Sequence, residues 1–112
     1  MKGQLTKEQT QHLISLGIDK SKATGKIEVQ IGNISEFQYR FTLRDLFEIL
    51  PAEIYNKDGV CCWLEFEINK NICSARYSQW ESDDYLIYFN EEELIDCLYK
   101  LVIWCIENKY LL

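Results

Sequence analysis

The side chains able to act as a base, a nucleophile or a metal ligand are one histidine, five cysteines and a set of carboxylates. His12 has no thiol at helical spacing. Catalysis would need a partner brought from elsewhere in the fold, and a solvated surface residue is the simpler reading. Cys61, Cys62, Cys73, Cys97 and Cys105 are odd in number and sit in apolar stretches, as reduced, buried thiols do. Zinc is held by Cys or His pairs spaced two to four apart on two segments. Cys61 and Cys62 are adjacent, and on a strand neighbours point to opposite faces; the others are single. A cysteine nucleophile needs a base, and only His12 is on offer. No catalytic group, metal ligand set or cofactor is therefore expected.

Two motif-like stretches also fail on spacing. A phosphate-binding loop needs four residues between its glycines and Ser or Thr after its lysine. Between Gly17 and Gly25 there are seven, and Ile27 follows Lys26. Asn33-Ile34-Ser35 is a formal glycosylation sequon, which has no meaning in an intracellular chain. The unusual patch is acidic: Glu81, Asp83, Asp84, Glu91, Glu92, Glu93 and Asp96. Its plain reading is a solvated loop plus negative charge at a helix start. Its sharper reading is a docking surface for a basic partner, with Trp63, Trp80 and Tyr85 as aromatic anchors. Trp63 stands out because it falls on the polar face of its strand.

The elements that must position these residues follow from periodicity. Residues 91–108 read as a helix, with Asn90 as N-cap and Glu93 at the third position. Asp96, Lys100 and Glu107 form a narrow polar stripe, with Ile103 alone among them. The opposite arc, roughly 220° wide, is apolar and includes Leu94, Leu98, Leu101, Val102 and Cys105. One sheet covers only about half of a helix, so a second covering surface is expected.

Earlier in the chain, Thr6 and Gln9 make a capping box for a short helix, and Gly17 is its terminator. Residues 18–25 read as a polar connector. Ile27, Val29 and Ile31 alternate, as do Phe37, Tyr39 and Phe41, which predicts a hairpin through a loop at 32–36. The register that puts every apolar residue on one side sets Ile31 opposite Phe37 and Glu28 opposite Arg40. Thr42 and Asp45 cap a second helix, with Leu43, Leu46, Phe47 and Leu50 on one stripe and Pro51 as the stop. Residues 52–59 form a connector ending in the turn Asp58-Gly59. Residues 60–68 form a strand that turns at Asn69-Lys70-Asn71, with Ile68 opposite Cys73, Phe66 opposite Ala75 and Glu65 opposite Arg76. A third strand spans 85–89, apolar on both sides. The expectation is one α+β domain over 1–112, order α-β-β-α-β-β-β-α. It combines a hairpin and a three-stranded meander, antiparallel, with the helices on one face.

A chain of 112 residues with 15 aromatic side chains (Trp 3, Tyr 7, Phe 5) can bury a core. The longest apolar run, 101–106, is too short to span a bilayer, and the start of the chain has no apolar stretch of the signal-peptide kind. A soluble, cytoplasmic protein without membrane association is expected. The net charge of −6 disfavours direct nucleic-acid binding and fits solubility or a basic partner.

The segments FTLRDLFEILPAEI and ELIDCLYKLVIWCIENKYL resemble those of small, uncharacterised bacterial proteins of prophage or mobile-element type. They are helix and connector patterns covering about half the chain. The resemblance implies a bacterial or phage accessory protein, with no activity and no site residues to carry over.

The expected function is a non-catalytic interaction module, either a homodimer or an adaptor for another protein. Its surface would comprise Trp63, Trp80, Glu81, Asp83, Asp84, Tyr85 and Ile103. The alternatives are a small enzyme using carboxylates or a thiol, and an acidic mimic of nucleic acid.

Overall fold

A computed structural model describes residues 2–79 and 84–112. Trp80, Glu81 and Asp83 of the expected surface lie outside the described residues. The elements are α1 (Lys7–Ser15), β1 (Gly25–Ile31), β2 (Ile34–Arg40), α2 (Leu43–Ile49), β3 (Glu53–Tyr55), β4 (Cys61–Ile68), β5 (Cys73–Gln79), β6 (Tyr85–Glu91) and α3 (Leu94–Glu107). The class is α+β. β1 and β2 form a two-stranded sheet, and β3-β4-β5-β6 a separate antiparallel sheet of four.

The core is built on α3. Leu94, Ile95, Cys97, Leu98, Leu101, Val102 and Cys105 are buried along it. One flank lies on β5 and β6 and another on α2. α1 supplies further cover, since Gln9 Nε2 donates to Asp96 Oδ1 at 3.2 Å. This is the second covering surface that the wide apolar arc requires. Ile103 is part of that packing. It is half-buried against the core, so it is not a lone apolar residue on an exposed stripe.

The start of α3 differs from the sequence expectation. Asn90 does not cap a helix; β6 continues through it, with Asn90 opposite Ser74 and Glu91 opposite Cys73. The ladder claims those backbone groups first, and the helix begins three residues later. Glu93 is then the N-cap, with no side-chain cap bond. Its carboxylate instead accepts from the Lys2 backbone N–H at 2.9 Å.

Both other helices start as their sequences dictate. Thr6 with Gln9, and Thr42 with Asp45, form complete capping boxes. Gly17 ends α1 at φ +113, and a Cβ there would stand 2.9 Å from Leu112 Cδ1. The positive φ favours glycine there, while the exposed Leu112 tip can move aside. The stretch after it is less polar in role than in composition: Ile18 and Ala23 are buried on either side of a 3-10 turn, Lys20–Lys22.

The hairpin forms in a different register from the one expected. Its loop is only Gly32-Asn33, with Gly32 at φ +62, as a two-residue turn with glycine first demands. Ile31 then pairs with Ile34, Val29 with Glu36, Glu28 with Phe37 and Lys26 with Tyr39. Phe37 and Tyr39 fall on the face opposite Ile27, Val29 and Ile31, and Lys26 Nζ sits 3.8 Å from the Phe37 ring centroid. Every residue from Gln30 to Phe37 is exposed. Hydrophobic burial selects a register only where one face is covered; from Gln30 to Phe37 both faces are exposed, and the turn decides.

The β4–β5 register is the expected one, including Ile68 opposite Cys73 and Glu65 opposite Arg76. Phe66 and Ile68, at the far end of the inward row, remain half exposed. The connector at 52–59 contains the short edge strand β3, which buries only Ile54. Asp58-Gly59 turns as expected: Asn56 Oδ1 accepts from the N–H groups of Asp58 and Val60, both at 2.9 Å.

Candidate functional site

The four-stranded sheet has an inner face on the helices and an outer face. Alternation along each strand assigns the residues. Cys62 and Leu64 of β4, Ala75 and Tyr77 of β5, and Ile87 and Phe89 of β6 point inward. Opposite them, Tyr55, Trp63, Glu65, Glu67, Ser74, Arg76, Ser78 and Tyr88 share the outer face. The register shifts between Tyr77 and Ser78, so that Tyr77 faces Ile87 while Ser78 faces Tyr85. Leu86 is the extra residue of this bulge and packs on the core. Strict alternation would put Tyr85 inward with Ile87 and Phe89. The bulge turns it outward and stacks it on Tyr88, ring centroids 5.3 Å apart.

Glu65 is the hub of the outer face. It accepts from Trp63 Nε1 at 2.7 Å, Ser78 Oγ at 2.9 Å and Arg76 Nε at 3.1 Å. Arg76 Nη1 also donates to Ser74 Oγ at 3.1 Å and lies 3.9 Å from Glu67 Oε2. The Arg76 guanidinium stands 5.2 Å from the Tyr85 ring centroid, within cation–π range. The hydrogen bonds from Trp63 and Ser78, then the bond and charge of Arg76, hold the Glu65 carboxyl below the ordinary glutamate value against the opposing effect of burial. A carboxylate held ionised by three donors has no proton to give and lowered basicity, which makes it a poor general acid or base. The arrangement can hold a shape and a charge pattern, which is binding chemistry.

Of the expected surface residues, Trp63 and Tyr85 are brought together here, with exposed Asp84 immediately before Tyr85. Ile103 is not: it belongs to α3, on the inner side of the sheet. Sequence reasoning missed Tyr55, Ser74, Ser78 and Tyr88. The Glu65–Arg76 pairing was the available signal for the two serines, which flank Arg76 at two-residue spacing. Tyr55 and Tyr88 needed the edge strand and the bulge.

The other chemically capable residues are dispersed. His12 Nδ1 lies 2.6 Å from Tyr99 Oη, a partner from another helix. Cys61 is on the outer face beside Glu53, its Sγ 3.5 Å from Glu53 Oε2. Cys73 is inward at the opposite end of the sheet, beside the Ile68 end of β4. All five thiols are free. Burial pushes the thiols of Cys97 and Cys105 up to about 11, away from the range of a reactive thiolate. Among the described residues no three His, Cys, Asp or Glu side chains group as a metal site, and no helix is long and apolar enough to cross a membrane.

The carboxylates at the start of α3 do not form a row. Glu91 is paired with Lys100, Glu93 with the Lys2 backbone, and Asp96 with Lys2 Nζ and Gln9. No protein-family model, curated protein or solved structure matches the chain.

Proposed function

We propose that this protein is a small cytoplasmic interaction module without catalytic activity, and that its outer sheet face receives a basic segment of a partner protein. One observation carries the reading. The outer sheet face carries exposed Tyr55, Tyr85 and Tyr88 and half-buried Trp63 around a fixed Glu65–Arg76 pair. Glu53, Glu67 and Asp84 add negative charge around it. Exposed aromatic rings beside carboxylates suit lysine and arginine side chains, whose stems pack on rings while the heads meet charge. The resemblance of two segments to phage-type accessory proteins fits such a role.

Two other readings have less support. The enzyme reading needs a thiol or carboxylate beside a base, and Cys61, Cys73 and His12 are dispersed. The nucleic-acid-mimic reading needs carboxylates spaced along one surface, and Glu91, Glu93 and Asp96 are engaged in local pairs.

The test is a titration with a lysine- and arginine-rich peptide, followed by amide and indole resonances. Shifts are expected at Trp63, Arg76 and Tyr85, weakening as salt rises, and lost in Trp63→Ala. Unmoved resonances on this face at millimolar peptide would remove the proposal.

A further inference from the structure

The four-stranded sheet has an unfinished edge. β3 pairs with β4 only from Cys61 to Trp63, and Leu64 N–H then donates to Ala52 O at 2.9 Å. Past Leu64 no described strand lies on that side of β4, and every residue from Phe66 to Ile72 is exposed. The chain that precedes β3 does not cover the gap. Pro51 O accepts from the inward Tyr77 Oη at 2.8 Å, so this segment comes up from the layer beneath the sheet. An open strand edge is a template for another strand.

What the edge offers is set by its phase. Asn69 N–H donates to Ile72 O at 3.0 Å, so positions 69, 67 and 65 bond toward β5. Phe66 and Ile68 therefore turn their backbone N–H and C=O groups to the open side. Their side chains point inward with Cys62 and Leu64, yet Phe66 is 50% and Ile68 49% exposed. The Phe47 ring of α2 packs on Phe66, centroids 5.0 Å apart, and extends this apolar shelf. Between the two, Glu67 points to the outer face. Its side chain is 56% exposed and its contacts are long, to Asn69 Nδ2 at 3.4 Å and Arg76 Nη1 at 3.9 Å.

We propose that this edge takes an extended segment of the partner protein as an added strand, and that the segment alternates apolar and basic residues. The inference rests on the outer-face reading above and says how the basic segment is held. An antiparallel strand in line with β3 sets its residues opposite Phe66 and Ile68 over the shelf, where apolar side chains are favoured. Those same residues turn their backbone groups to β4, so the ladder closes in phase. The residue between them faces Glu67 on the outer side, where lysine or arginine makes an opposite-charge pair. The C-terminal end of the strand meets Ala52 and β3, with α2 beneath. The residues that follow therefore turn over the outer face toward Trp63. A second copy of β4 does not suit the edge. A two-fold axis at Glu67 sets two glutamates face to face, one at Phe66 sets Glu65 against Glu67, and one at Ile68 sets Phe66 against Lys70. β6, the opposite edge of the sheet, carries the bulge at Leu86, a device that discourages pairing.

The probes are two short peptides of alternating lysine and valine, identical in composition. One is N-methylated at every lysine, which blocks only its far edge and so prevents self-association. The other is N-methylated at every valine, which removes the N–H groups aimed at β4. At saturation on the full chain, the lysine-methylated peptide is expected to slow hydrogen exchange at the Phe66 and Ile68 amides by about tenfold or more, and to move the Trp63 indole resonance. The valine-methylated peptide is expected to protect neither amide. Glu67→Lys, shown to be folded by circular dichroism, is expected to bind the lysine-methylated peptide about threefold or more weakly. The same variant is expected to bind an alternating glutamate and valine peptide, methylated at its glutamates, better than wild type does. If the first peptide moves Trp63 and Tyr85 but protects neither amide, this proposal is overturned and the outer-face reading stands. No change at any of these residues overturns both. Equal protection by the two methylated peptides, a Glu67→Lys chain that binds as before, or protection confined to the β6 edge also overturns the proposal.

Discussion

Asp45 shows how one side chain can tie two segments together. It is buried, and its carboxylate accepts from Thr42 N–H at 2.8 Å, Thr24 N–H at 2.9 Å and Thr24 Oγ1 at 2.8 Å. Its sequence position declares only the helix cap. The clamp on Thr24 is a tertiary contact that no local pattern announces. Burial alone would raise its pKa, but the bonds from Thr24 and Thr42 outweigh it and hold the carboxyl below 3.8. A folded-state value below the unfolded one stabilises the fold fully above the unfolded value, and that contribution fades as pH falls through the folded value. Asp45→Asn keeps one acceptor oxygen but turns an NH₂ group toward N–H donors. It is expected to cost about 1–3 kcal/mol at neutral pH, with the gap to wild type closing below pH 3.8; urea melts at several pH values measure this. The thiols give a second residue-scale expectation. Cys61 alone among the five is not fully buried, and burial and then Glu53 raise its pKa. A thiol reagent should label one cysteine slowly in the native protein, faster toward alkaline pH, and the other four only on unfolding. Rapid labelling of several would show that the core is open.

At the scale of elements, what could be read from sequence was whatever burial or a cap determined. α1 and α2 start where Thr6 and Thr42 say, and β4 and β5 lock where Glu65 meets Arg76 and Phe66 meets Ala75. The hairpin register was not legible, because both faces are exposed from Gln30 to Phe37 and the choice fell to Gly32-Asn33. The start of α3 was not legible either. Asn90 and the glutamates after it match a cap pattern, and only pairing with Ser74 and Cys73 shows that 90 and 91 belong to β6. The candidate site was half legible: Trp63 on a polar face was a visible anomaly, while the outward turn of Tyr85 depends on the bulge at Leu86. α3 itself carries the plainest stability expectations. Leu98 is fully buried. Leu98→Ala should cost about 2–5 kcal/mol, and Leu98→Asp should leave the chain mostly unfolded, since it buries an unpaired charge. Ile103→Ser should lower stability by about 1–3 kcal/mol without changing the mass of the particle, because that side chain packs on its own core. Urea melts with sedimentation on the same samples separate these effects.

The whole molecule is longer than its size requires. The Cα radius of gyration is 15.6 Å and the principal extents are 58 × 33 × 16 Å, against about 13 Å for the radius of a compact chain of this length. The extra length comes with the ribbon, whose outer half touches little besides itself. Stability within one chain should therefore be uneven. Amides of Ala75, Tyr77 and Leu64 sit in the middle of the four-stranded sheet, under α3, and open only when the whole core does. Those of Gln30 to Phe37 have a ladder to one strand and water on the other side. Hydrogen exchange on dilute, monomeric protein should show the first group protected to near the global limit and the second exchanging orders of magnitude faster. Equal protection of the two groups would mean that the ribbon is held as firmly as the core.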